Sequence, residues 1–183
     1  MTMPETARQP DLVHAPSENG STSLHRLLPT DFANVQGRES YWWTLVRESI
    51  LRSHPPIEDP KQHHWLVVSA LAALLAGYLT AWIGTDRGKV LVVGTTLFTE
   101  EPLTRTRNLL VYSMWGPEKA GSRKAWDRFI AQLVQYAGDM GAANVIGYID
   151  ETNAPALALA RRAGGDLVHR LAKFPTRPPE AKP

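Results

Sequence analysis

NLLVYSMW, residues 108–115, leads through a short loop into SRKAWDRFIAQLVQYAGDMGA, residues 122–142, and the join between them decides the fold. The first piece is a compact apolar run of strand type. In the second, Trp126, Phe129, Ile130, Leu133, Ala137 and Met140 recur every three or four residues, the stripe of an amphipathic helix, and Gly141 supplies a stop. Beyond it, Asn144–Ile149 reads as a buried strand, Asn153–Ala163 as a second helix and Asp166–Phe174 as a closing strand. Strand, helix, strand, helix, strand in that order is an α/β signature.

Working back toward the N-terminus, Ser23–Leu28 reads as a first strand. A helix then starts at Pro29, Thr30 and Asp31, with Phe32, Val35, Trp42, Leu45, Val46 and Ile50 at helical spacing. Pro55 and Pro56 end it near His54. A polar linker to Gln62 leads to strands expected at about 64–70, 74–84 and 89–98. The whole predicts an α/β domain over 23–174, a mixed central sheet of six to seven strands flanked by helices. The Pro-, Ser-, Thr- and Glu-rich residues 1–22 and residues 175–183 read as flexible tails.

WLVVSALAALLAGYLTAWIG, residues 65–84, admits two readings. Twenty uncharged residues with a Trp near each end suit a membrane-spanning helix. Leu75, Gly77, Leu79, Ala81 and Ile83 alternate with Ala76, Tyr78, Thr80 and Trp82, the period of a strand. The turn-like GTDRGK that follows, and the β-rich VLVVGTTLF after it, favour a hairpin and leave the single-pass membrane protein as the lesser alternative.

Composition narrows the function. Charged residues make up 21% with a net charge of only +2, too little for a broad electrostatic grip on nucleic acid. With no cysteine there is no thiol nucleophile, disulfide or cysteine-rich zinc site. The first twenty residues carry no apolar core, so no secretory signal is expected. His63 and His64 are adjacent, with His54 upstream, but no carboxylate at usable spacing completes a metal ligand set.

The chemistry concentrates in MWGPEKAGSRK, residues 114–124. A strand–loop–helix join presents unpaired backbone N–H groups at the helix start, a natural anion site. Gly116 and Gly121 let a ligand approach the backbone, and Ser122 is the expected N-cap. Arg123 and Lys124 oppose the helix dipole unless a polyanion sits there; otherwise they are solvated surface. Trp115 and Lys119 border the same loop.

With these residues in view, Asn108–Phe174 resembles the GNAT superfamily of acyl-CoA-dependent N-acetyltransferases. In that family a strand, a pyrophosphate loop and a long helix precede a strand and a short helix of recurring pattern. That pattern is matched here by Asn153, Ala156, Leu159, Arg162 and Gly164, with Ala160 where the family carries a tyrosine and Gly165 where it carries an aromatic. The LLAGYLTAW segment also looks like the family's third strand. The pyrophosphate loop departs from the pattern, with Glu118 at its first position and Arg123 at its last. The resemblance implies acetyl transfer from acetyl-CoA to an amine, with Trp115, Gly116, Lys119, Gly121, Ser122, Arg123, Lys124 and Asn153 at the cofactor. Ala160 has no proton to give a departing thiolate, so Tyr112 or Tyr148 is the expected acid. Glu100, Glu101 and Asp150 are the candidate bases. A second expectation is a protein of the same fold that has lost catalysis and serves as a binding or structural module, resembling chains encoded by tailed phages. The expected location is the cytoplasm, or a virion for that second reading.

Overall fold

The computed structural model describes residues 23–32, 39–54, 59–86, 89–116, 123–150 and 152–165. The chain divides into two units, Met1–Gly147 and Tyr148–Pro183.

In the first unit, five strands lie in the order of the chain: β1 (Ser23–Arg26), β2 (Thr80–Asp86), β3 (Lys89–Glu100), β4 (Arg107–Trp115) and β5 (Asn144–Gly147). The first four pair antiparallel and β5 joins β4 parallel. A 3-10 turn at Pro29–Phe32 precedes α1 (Tyr41–Ser53), followed by α2 (Pro60–Leu75), while α3 (Arg123–Asp139) connects β4 to β5. Helices cover both faces. On one, Trp43, Val46 and Ile50 of α1 and Ala70 and Leu74 of α2 pack with Ala81, Ile83 and Val93. On the other, Phe129, Leu133 and Ala137 of α3 close over Trp82, Val92 and Leu109. Of the stripe read from the sequence, Phe129, Leu133 and Ala137 are buried, Trp126 and Ile130 are half-buried, and Met140 lies exposed beyond the helix.

Residues 60–75 correct the sequence reading: they form a helix, not strands at 64–70 and 74–84. Asp59 caps it, its side chain accepting from the Lys61 N–H at 2.9 Å, and Pro60 occupies the first turn, where its missing N–H costs nothing. The segment is dominated by Ala and Leu, strong helix formers. Gly77, at φ +77°, ends it: Gly77 N–H donates to Leu74 C=O and Tyr78 N–H to Ala73 C=O, a Schellman stop that a side chain at 77 would strain. The alternation seen around Ile83 is genuine only from Thr80 onward. At sixteen residues, α2 is about 24 Å long against a hydrocarbon core of about 30 Å. No helix among the described residues is long and apolar enough to cross a membrane.

Two of the expected strand positions are thus occupied by α2 or shortened by it, and the strand expected at 166–174 lies outside the described residues. The helix expected from Pro29 to His54 is a 3-10 turn and a separate α1. In the second unit, α4 (Ala154–Arg162) starts at Asn153, whose side chain accepts from the Ala156 N–H at 3.1 Å.

Candidate functional site

β4 organises the site. Thr95 of β3 faces Ser113, but Thr96 faces Val111, so Tyr112 is an extra residue in β4. In a regular strand neighbouring side chains point to opposite faces. This β-bulge breaks the rule. Val111 and Met114 pack on the α3 side, while Tyr112 and Ser113 both turn toward α1.

Buried hydroxyls hold the bulge in place. Ser113 Oγ lies 2.8 Å from Thr95 Oγ1 and 3.1 Å from Ser49 Oγ of α1, and the Ser49 hydroxyl donates to the Val93 carbonyl at 2.9 Å. All three side chains are buried, so each hydroxyl depends on the others for its partners. One turn further along α1, Ser53 Oγ accepts from the Met114 N–H at 3.0 Å and approaches the Met114 carbonyl at 3.4 Å. The end of α1 therefore grips the backbone of β4 just past the bulge.

The ladder between β4 and β5 ends at Val111–Gly147, and β4 continues for Tyr112, Ser113, Met114 and Trp115. This leaves a strand margin along which an extended ligand can pair. Ser53 is the side chain that engages Met114 there.

Tyr112 meets His54 at the C-cap of α1, with 2.9 Å between its hydroxyl and Nε2 and ring centroids 5.3 Å apart. Partial burial pushes the Tyr112 phenol above its ordinary pKa and holds the His54 imidazolium below its own. At neutral pH the pair is a protonated phenol and a neutral imidazole, and the imidazole tautomer decides which of them donates. His54 also lines an open cleft with Lys61, Gln62, Trp65 and Leu66 of α2.

At the end of β4, the Arg52 guanidinium lies 5.1 Å from the centroid of the Trp115 ring. Gly116 is needed for packing: a Cβ there would lie 2.8 Å from Trp126 Cζ2 and 3.0 Å from the Leu91 carbonyl oxygen. Arg123 and Lys124 occupy the first turn of α3, exposed and without an ion pair among the described residues. Lys119, Gly121 and Ser122 lie outside the described residues.

The carboxylates expected as bases serve turns instead. Glu100 pairs with Arg105 at 3.0 Å and sits opposite Arg107, five residues before Tyr112 along β4, about 17 Å away at strand rise. Glu101 accepts from the N–H groups of Thr104 and Leu103 at 2.6 and 3.1 Å. Hydrogen bonds from Thr104, then from the Leu103 backbone, hold it below the usual carboxylate range despite a small opposing desolvation. In the second unit the Thr152 hydroxyl and backbone N–H do the same to Asp150. Tyr148 is 73% exposed, and Asn153 is engaged as the cap of α4.

Sequence reasoning passed over His54, treating it as a helix stop and a discounted metal ligand. It also expected His63 and His64 at a strand entry, whereas they lie on α2. Ser49 carried a usable signal, a hydroxyl set on the apolar stripe of α1.

No family model matches the chain, and no curated protein matches it. Solved structures do. A predicted acetyltransferase of Clostridium acetobutylicum with acetyl-CoA is 12% identical, with TM-score 0.60 over 85% of this chain and 96% of that one. The aminoglycoside N-acetyltransferase AAC(6')-Iy in complex with CoA is 11% identical, with TM-score 0.62 over 90% and 99%. An aminoglycoside acetyltransferase from an uncultured soil metagenomic sample, in complex with sisomicin, is 12% identical, with TM-score 0.61 over 86% and 97%. The chain has the fold of the GNAT acetyltransferases.

Proposed function

We propose that this chain is an acetyl-CoA-dependent N-acetyltransferase that acylates an amine. The observation that carries the reading is β4 running past its ladder with β5 immediately after a pinned bulge. The amide-bearing arm of acetyl-CoA would pair along that margin as an added strand, setting the thioester beside Tyr112. The pyrophosphate would lie at the start of α3, where Arg123 and Lys124 are exposed and without an ion pair among the described residues, and where the helix dipole favours an anion. Trp115, Gly116, Lys119, Gly121 and Ser122 border the same loop, and Asn153 starts the helix that resembles the family's short one.

In this reading Tyr112 is the acid. Its hydroxyl stays protonated at neutral pH and gives its proton to the departing thiolate. Tyr148 is the alternative donor. Calorimetric titration of the full chain with acetyl-CoA tests the reading: saturable binding in the micromolar range supports it, and no heat at millimolar ligand refutes it. Ala160 favours one other reading, a GNAT-fold module without catalysis, because no hydroxyl stands at that position of α4. Tight acetyl-CoA binding without turnover on any amine would select it.

A further inference from the structure

An open cleft of about 530 Å3 lies between the end of α1 and the first half of α2. That volume falls within the roughly 300–1,000 Å3 of small-molecule sites. Its walls divide by chemistry: Trp65 and Leu66 are apolar, Gln62 is neutral and polar, and Lys61 carries the only permanent charge among the lining residues. Lys61 is exposed and has no ion pair among the described residues. Among the described residues no carboxylate lines the cleft. Trp65, 72% exposed at the rim, is a large aromatic surface with nothing packed over it. The inner wall is His54, joined to Tyr112 at 2.9 Å.

We propose that this cleft is the acceptor site, that it takes an amine carrying an apolar or aromatic body and a carboxylate, and that His54 removes the proton from that amine. The proposal rests on the acetyl-transfer reading above and gives it a substrate class. Lys61 receives the carboxylate, Trp65 and Leu66 cover the apolar body, and the amine points at His54. A polycation such as sisomicin, bound by one structural neighbour, would meet a lysine and, among the described lining residues, no acid.

The proton accounting closes through the His54–Tyr112 bond. The ammonium first loses one proton to solvent. The neutral nitrogen attacks the thioester carbonyl, forming the C–N bond, and gives its second proton to His54 Nδ1, while Nε2–H faces the Tyr112 oxygen. As the C–S bond breaks, the thiolate takes the Tyr112 hydroxyl proton, and the His54 imidazolium returns a proton to Tyr112. The products are an amide, a thiol and one solvated proton. Burial favours the neutral form of His54, and its hydrogen-bond partner Tyr112 from β4 is uncharged. On its own helix, Arg52 is held by Glu48 at 3.0 Å and lies over Trp115.

Acetyl transfer by the full chain to free L-phenylalanine, phenethylamine and sisomicin tests the assignment. Free L-phenylalanine is expected to have the highest kcat/KM. Lys61→Met is expected to raise its KM about tenfold or more, the loss of one charge-assisted contact, and to leave phenethylamine unchanged. His54→Gln keeps a polar group beside Tyr112. It is expected to lower kcat about 10²–10⁴-fold and to leave only the amine's own ionisation on the acidic limb of the pH profile, with acetyl-CoA affinity retained. Preference for sisomicin, equal KM changes for both aromatic amines, or a His54→Gln enzyme with normal kcat and pH profile would each overturn the proposal while leaving the acetyltransferase standing. If acetyl-CoA does not bind, the broader reading falls, and NMR of the Trp65 indole N–H then reports on the cleft directly. Free L-phenylalanine shifting that signal in the wild type but not in Lys61→Met would uphold the ligand class, and no shift would reject it.

Discussion

Tyr112→Phe separates a catalytic hydroxyl from a structural one. The change removes one oxygen, the one 2.9 Å from His54 Nε2, and keeps the ring that packs toward α1 and α2. His54 also borders the open cleft, so water can replace the lost partner, and the stability cost should be that of one hydrogen bond, about 0.5–1.5 kcal/mol. The bulge should hold, because Ser113, Ser49 and Thr95 pin it through bonds that do not involve Tyr112. Acetyl-CoA affinity should accordingly stay within about threefold of wild type, while kcat falls by about 10²–10⁴, the usual contribution of a positioned acid. Urea midpoints, calorimetric titration and steady-state release of CoA thiol read the three quantities on one preparation. A variant that loses the expected stability yet turns over at the wild-type rate would show that the hydroxyl only supports packing. The thiolate would then take its proton from another group, with Tyr148→Phe the next variant to examine.

Four further outcomes follow from the same geometry. Ser53→Ala frees the Met114 N–H and carbonyl from a side chain that competes with an added strand, so acetyl-CoA should bind up to about tenfold tighter; weaker binding would place the ligand elsewhere. Replacing Arg123 and Lys124 together by Ala should weaken acetyl-CoA binding at least about tenfold and reduce its salt sensitivity, as calorimetry at two ionic strengths would show. Burial holds both His25 and His54 below their ordinary pKa, so the folded chain binds fewer protons than the unfolded one; stability should be complete above about pH 6.5 and fall as pH drops through the folded values. Urea midpoints that do not decline toward pH 5, or a decline equally steep after His25→Gln and His54→Gln, would contradict this. Gly116→Ala should cost about 1–3 kcal/mol through overpacking against Trp126 and the Leu91 carbonyl, read as a lowered urea midpoint.

Legibility in the sequence follows how local each cause is. The stripe from Trp126 to Ala137 needed only its own periodicity, and α3 buries that stripe. The hairpin of β2 and β3 was likewise marked by two β-rich runs around a turn-like GTDRGK. α2 failed for a physical reason. An apolar helix with residues such as Trp65, Val68 and Leu75 left exposed has no polar face to set its period, so chance alternation near its end reads as strand. Asp59 and Pro60, a cap and a first-turn proline, were the local signals that outweigh it.

The site was less legible because its geometry is created by pairing. Nothing in NLLVYSMW announces that Tyr112 is the inserted residue, since a bulge is a property of two strands in register. His54 needs a partner 58 residues away before it is more than the end of a helix. One part was nonetheless available. Ser49 sits three residues after Val46 and one before Ile50, on the stripe that must face the core. A hydroxyl buried there requires a partner on the facing sheet, and NLLVYSMW offers Ser113 as its one aliphatic hydroxyl. That pairing alone would have set α1 against β4 and turned Ser113 inward. Placing Tyr112 on the same side as Ser113, where it can reach His54, then takes the bulge. Having Tyr112 and Ser113 on one side therefore depends on a single inserted residue: regular alternation would turn one of the two away from α1, and with Ser113 held by Ser49 that one is Tyr112.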